Sequence, residues 1–179
     1  MGTCLQMGRI RVENKGIVKL NNIYNMGYSN YNQRPNGGNN AKASDRSREE
    51  AEKIFSKYEF KHSWIDGNGA DEALPAFADN IGKELAEKKL TSSKIRSIYG
   101  EIKRIQMGEF EKEKSSFYLL KPKVAYAVGR DNKNVGLHLF KKVFDESSKY
   151  VKDCKTFHNF SNFMEAILAY HRAYSDKND

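Results

Sequence analysis

From Leu74 to Tyr174 the large apolar side chains recur at intervals of three and four residues, and that period allows helices and little else. Ile95, Ile98, Ile102 and Ile105 form one such stripe, which starts behind Thr91, a good helix cap. Leu74, Phe77, Ala78, Ile81 and Leu85 form another over Asp71–Lys88, with Pro75 in its first turn. Leu119, Leu120, Val124, Ala125 and Val128 mark a helix over 116–129. Pro122 must sit near its start or kink it, and Gly129 is its natural stop. Leu137, Phe140, Phe144 and Val151 predict a helix over 135–152. Phe157, Phe160, Phe163, Met164, Ile167, Leu168, Ala169 and Tyr174 predict the most apolar helix, 156–175, as the central packing element. Ser44 or Asp45 can cap a further helix over 45–61, and Ser63–Ala70 reads as a loop with Asp66-Gly67-Asn68-Gly69 as its turn. The Ile stripe can extend through 106–114. No alternating pattern competes in the second half, so the expected fold class is all-α, a helical bundle of five or six helices.

Apolar residues make up 39% of the 179-residue chain, below the usual globular share, and the deficit falls on residues 1–44. Asn21–Asn40 holds eight Asn together with Gly27, Gly37 and Gly38. Ordering such a segment costs about 1–2 kcal/mol per residue with little apolar surface to offset it. The expected organisation is a flexible Asn/Gly-rich basic extension over 1–44 and a helical bundle domain over 45–179. Tyr24, Tyr28 and Tyr31 lie in that extension among Arg9, Arg11 and Arg34, a mixture able to stack on unpaired bases.

The formal net charge is +8, unevenly distributed: about +5 over 1–44, −3 over 45–90 and +6 over 91–179. The basic surplus therefore sits in the extension and in the half with the clearest helices, and such a balance favours polyanions. The only cysteines, Cys4 and Cys154, make no disulfide framework, which fits a reducing cytoplasm. No apolar run approaches the roughly 18 residues of a membrane span, and no membrane association is expected.

Catalytic patterns are missing. Gly67-Asn68-Gly69 lacks the spacing and the following Lys-Ser/Thr of a phosphate loop, and there is no Gly-x-Ser-x-Gly elbow. Cys154 and His158 are one helical turn apart, but two ligands make no zinc site. Asp145 and Glu146 are adjacent on a helix and point in different directions, a poor two-metal clamp. His171, set among aromatics, reads as a packed core histidine. No enzyme, no metal and no cofactor are expected.

Three segments carry a resemblance. Leu90-Thr91-Ser92-Ser93-Lys94-Ile95-Arg96, then Leu119-Leu120-Lys121-Pro122-Lys123-Val124-Ala125-Tyr126-Ala127-Val128-Gly129-Arg130, then Phe160-Ser161-Asn162-Phe163-Met164-Glu165-Ala166-Ile167-Leu168-Ala169-Tyr170-His171 resemble, in this order, stretches of the small subunit of the type III-A (Csm-type) CRISPR effector complex. The likeness covers about 88–175; residues 1–60 have no counterpart in that family core. It implies an all-helical subunit without nuclease activity. Several copies would stack beside the crRNA-holding subunits and touch the backbone of the crRNA–target RNA duplex. The implied partners are crRNA, target RNA, other Csm-complex subunits and further copies of the chain itself. The candidate RNA-binding residues are Arg96, Lys103, Arg104, Lys121, Lys123, Arg130, Lys141 and Lys142, a set able to neutralise phosphates without reading bases. A protein–protein adaptor without RNA contact remains the alternative from the residues alone.

Overall fold

The structure, a computed structural model, describes residues 37–175, with side chains from residue 42. The expected extension lies almost entirely outside the described residues. Among the described residues there are seven helices and no strand: α1 Gly37–Phe55, α2 Ser63–Asp66, α3 Leu74–Glu87, α4 Ser92–Met107, α5 Phe110–Arg130, α6 Val135–Ser148 and α7 Cys154–Ser175. The chain is all-α, as the apolar period required.

Helix α7 packs against every helix from α2 to α6. Its closest partner is α3, where Gly82 permits the approach. A Cβ there would stand 2.7 Å from both the His171 amide nitrogen and the Tyr170 Cβ. Two aromatic groups flank α7. Phe163 meets Phe60, Trp64 and Phe77 with ring centroids 5.7–6.1 Å apart. Phe157 stacks on Phe110 at 4.8 Å, and Phe117 stands edge-on to Phe157 and Phe160. Asp153 and Thr156 start α7 by reciprocal capping: the Thr156 amide donates to Asp153 Oδ1 at 2.8 Å and the Asp153 amide donates to Thr156 Oγ1 at 3.0 Å.

Several helix ends differ from expectation. Helix α1 begins before Ser44 and Asp45, so neither residue caps it, and it stops at Phe55 rather than at residue 61. It is fastened by Ser47 Oγ, which donates to the Lys133 carbonyl at 3.0 Å in the α5–α6 turn. The expected 63–70 loop contains the single turn α2, because Trp64 and Ile65 bury their side chains. Trp64 Nε1 donates to Asp71 Oδ1 at 2.7 Å. The same oxygen accepts from the amides of Ala73 and Leu74, so Asp71 caps the approach to α3 from outside the helix. Gly69 takes φ +90°, and a Cβ there would stand 3.0 Å from Asn159 Oδ1. Thr91 precedes α4 as expected, but its hydroxyl pairs with Ser93 Oγ and makes no capping bond to the backbone.

The Ile stripe ends at Met107, because Gly108 turns to extended backbone, and 110–130 form one continuous helix. Pro122 therefore lies in the interior of α5, not at its start. It lies on the exposed side of the helix and deprives the Tyr118 carbonyl of its donor. Gly129 does not end α5; Arg130 is its last residue. Helix α6 stops at Ser148, short of residue 152, and is capped by Asn134, whose side chain accepts from the Leu137 amide at 2.9 Å.

Candidate nucleic-acid interface

Helix α5 sorts the candidate cations. Phe117, Leu120, Val124 and Val128 are buried, which fixes the rotation of the helix. At 3.6 residues per turn, Lys121 then falls on one border of the exposed face, and Lys123 and Arg130 fall together on the other.

On the Lys121 side, α1, α5 and α6 enclose a groove of about 450 Å³. Five cations line it: Arg48, Lys121, Lys141, Lys142 and Lys149; Glu52, Asp145 and Glu146 face them. Lys141 pairs with Asp145, and Lys142 pairs with Glu146 at 3.0 Å while its ammonium lies 5.6 Å from the centre of the Phe55 ring. Lys149 reaches the other Glu146 oxygen at 2.8 Å. Burial pushes the Glu146 carboxyl up, but the hydrogen bonds from Lys149 and Lys142 outweigh it and hold the group below the usual carboxylate range. Lys121 has no carboxylate within ion-pair distance among the described residues. The groove lining thus carries two more positive than negative groups, although one of the cations, Arg48, also pairs with Asp45 at 3.4 Å.

On the other side, α4 and α5 border a wider groove of about 930 Å³. Ile98, Leu119, Pro122, Tyr126 and Ala127 supply its apolar lining. Lys94 is paired with Asp131 at 2.6 Å, Lys123 lies 3.7 Å from Glu101, and the Arg130 guanidinium sits 5.9 Å from the centre of the Tyr126 ring.

The three α4 candidates are placed differently. Arg104 binds Glu101 and Glu113, both at 2.9 Å, and so clamps the end of α4 to the start of α5 across the Gly108 break. Glu113 and Glu101 raise the guanidinium pKa above its ordinary value. Lys103 donates to Glu165 Oε2 at 2.7 Å, tying α4 to α7. Arg96 is exposed at a third, smaller groove between α4 and α7, beside Tyr99 and Arg172. The eight expected residues therefore divide among three surfaces of one copy. Lys121, Lys141 and Lys142 converge on one of them, where the structure adds Arg48 and Lys149, and Lys123 and Arg130 share another. The spacing of Lys142 and Lys149, two turns apart on one helix, was a legible signal; Arg48 had none, because its place depends on how α1 docks.

Among the described residues no three His, Cys, Asp or Glu side chains converge as a ligand set. His158 Nδ1 faces Gln106 at 3.3 Å, and Cys154 is exposed. No described helix is long and apolar enough to cross a membrane.

These features define an all-helical bundle that presents cation-bordered grooves. The chain belongs to the Csm2 Type III-A family, whose sequence model matches residues 69–177, more than half of its length. The match starts in the turn before α3, some way ahead of the first motif at Leu90. It makes the chain a small subunit of the type III-A CRISPR complex. No curated protein and no solved structure matches it.

Proposed function

We propose that this chain is a non-catalytic small subunit of an RNA-guided type III-A interference complex, acting in the cytoplasm in antiviral defence. Several copies stack along the crRNA–target RNA duplex and hold its sugar-phosphate backbone without reading sequence. Membership of the Csm2 family over 69–177 carries the reading. The groove of α1, α5 and α6 supports it in physical terms: five cations against three carboxylates, on rigid helices, with Lys121 unpaired at the rim. Phosphates approaching the groove can exchange for Asp145 and Glu146 as partners of Lys141, Lys142 and Lys149. Lys123, Arg130 and Arg96 extend the positive field around α5 and α4 but are not part of that groove.

A titration of RNA against salt tests this. With about four phosphates neutralised, log affinity for single strands falls against log salt with a slope near −3. Replacing Lys121, Lys142 and Lys149 together with Ala makes the slope shallower by about one for each phosphate that is no longer neutralised, and equally for every sequence. A flat salt dependence in the parent protein defeats the reading, as does a sequence-specific loss.

A further inference from the structure

Among the described residues nothing packs on the solvent face of α5, which is mostly apolar. Ser115, Tyr118, Pro122, Ala125 and Gly129 follow one another at three- and four-residue steps, all exposed. Leu119 and Tyr126 widen this stripe on one side. Tyr118, Leu119 and Tyr126 are 60%, 58% and 68% exposed, and a Cβ built on Gly129 would meet nothing within 4 Å. The stripe runs roughly 21 Å along the helix at 1.5 Å per residue. It opens sideways into the apolar lining of the α4–α5 groove at Leu119, Pro122 and Tyr126. It contains no charged side chain between Ser115 and Gly129, and its borders carry Lys114 and Lys121 on one side and Lys112, Lys123 and Arg130 on the other. Lys112, Lys114 and Lys123 pair with Glu109, Glu111 and Glu101, which leaves Lys121 on one border and Arg130 on the other outside any ion pair among the described residues. A 3.5-residue apolar seam edged by charge is the pattern by which one helix receives another.

We infer that the outer face of α5 is the docking seam for an amphipathic helix of a different polypeptide, one with an apolar stripe edged on both sides by Asp and Glu. Charge complementarity selects that partner. Pairing α5 with its own copy would set the unpaired Lys121 and Arg130 against cations of the same borders. A copy offers no matching seam elsewhere, because among the described residues the remaining large exposed apolar side chain is the isolated Met107, 84% exposed. Stacking of copies therefore uses other faces. Tyr118 and Tyr126 stand two turns apart on different sides of the seam, with Pro122 and Ala125 between them, which is no continuous platform for bases. The inference rests on membership of a multisubunit complex and is independent of the RNA contact: a flat salt dependence would end that proposal and leave this one standing.

The test places a benzophenone amino acid at Tyr118 or Tyr126 of the full chain, assembled with the other type III-A subunits and crRNA, and identifies the photo-adducts. The expected adduct is with a helix of another subunit that carries carboxylates on both edges of an apolar stripe. Ala125→Gln with Gly129→Gln adds bulk without charge on an open helical face, so the thermal melt should match the parent. The expected result is an at least tenfold loss of affinity for the cross-linked subunit, with the RNA salt slope retained. Adducts with RNA, adducts with a second copy, an absence of adducts, or undiminished assembly of the double variant would each overturn the inference.

Discussion

His171 is 1% exposed, and its Nε2 donates to the Leu90 carbonyl at 2.6 Å, across the junction that leads from α3 into α4. Burial disfavours the charged imidazolium and lowers the pKa below 6.5, although the Leu90 carbonyl pulls the other way. The folded chain therefore binds its proton less readily than the unfolded chain. Above about pH 6.5 both states hold the neutral ring and the site contributes fully. As pH falls from there through the lowered folded value, the unfolded state takes up the proton first and stability is lost. Urea midpoints measured from pH 8 to pH 5 should fall with acid in the parent. The His171→Gln variant should be less stable at pH 8 and show a shallower decline. Parallel curves for the two proteins would mean that His171 is not the group responsible. The arrangement belongs to the packing of α3 against α7, and its sign follows from burial alone.

At the scale of elements, the end of α3 contains a correctable feature. The Leu90 amide reaches back to the Leu85 carbonyl at 3.0 Å and the Lys89 amide to Ala86 at 2.9 Å, the paired bonds of a Schellman turn. Lys89 occupies its left-handed position at φ +58°, where a side chain costs about 1–2 kcal/mol and glycine costs little. Lys89 is exposed and in no ion pair among the described residues. Lys89→Gly should therefore raise stability by about 0.5–1 kcal/mol despite the greater freedom of glycine in the unfolded chain. That corresponds to roughly 2–4 °C in a thermal melt. The same region shows what could be read beforehand. Ile95 to Ile105 and the Phe-rich stripe of α7 were legible because burial on one helical face fixes residue type at every turn. The start of α5 was not. Between Phe110 and Phe117 the sequence Glu111-Lys112-Glu113-Lys114-Ser115-Ser116 has no apolar residue to continue the period; tertiary contacts, the stacking of Phe110 on Phe157 and the Arg104–Glu113 pair, hold it in the helix. Pro122 misled for a related reason. Proline removes one hydrogen bond and its ring presses on the preceding turn, a cost of about 3 kcal/mol, which burial of Phe117, Leu120, Val124 and Val128 along the same helix outweighs.

For the whole molecule, the question is which cations hold the bundle together and which are available to a polyanion. Sequence placed seven of the eight candidates on helices and Arg130 just past the end of one, but a helix face acquires meaning only when its neighbour is known. Arg104 and Lys121 look alike in the chain. In the fold, Arg104 is held between Glu101 and Glu113, whereas Lys121 stands at the mouth of a groove that α1 helps to build. Ligand binding and folding should therefore separate. Lys103→Ala cuts the tie to Glu165, and Arg104→Ala releases the α4–α5 junction; both should lower the melting temperature while leaving the RNA salt slope near its parent value. Lys121→Ala removes no ion pair among the described residues. It should leave the melt unchanged and make the salt slope about one unit shallower. The two readouts must cross for the division to hold. If Arg104→Ala weakened RNA binding as strongly as Lys121→Ala at a temperature where both are fully folded, phosphates would have to displace Glu101 and Glu113 from the guanidinium. The RNA path would then run over the α4–α5 junction instead of the groove of α1, α5 and α6.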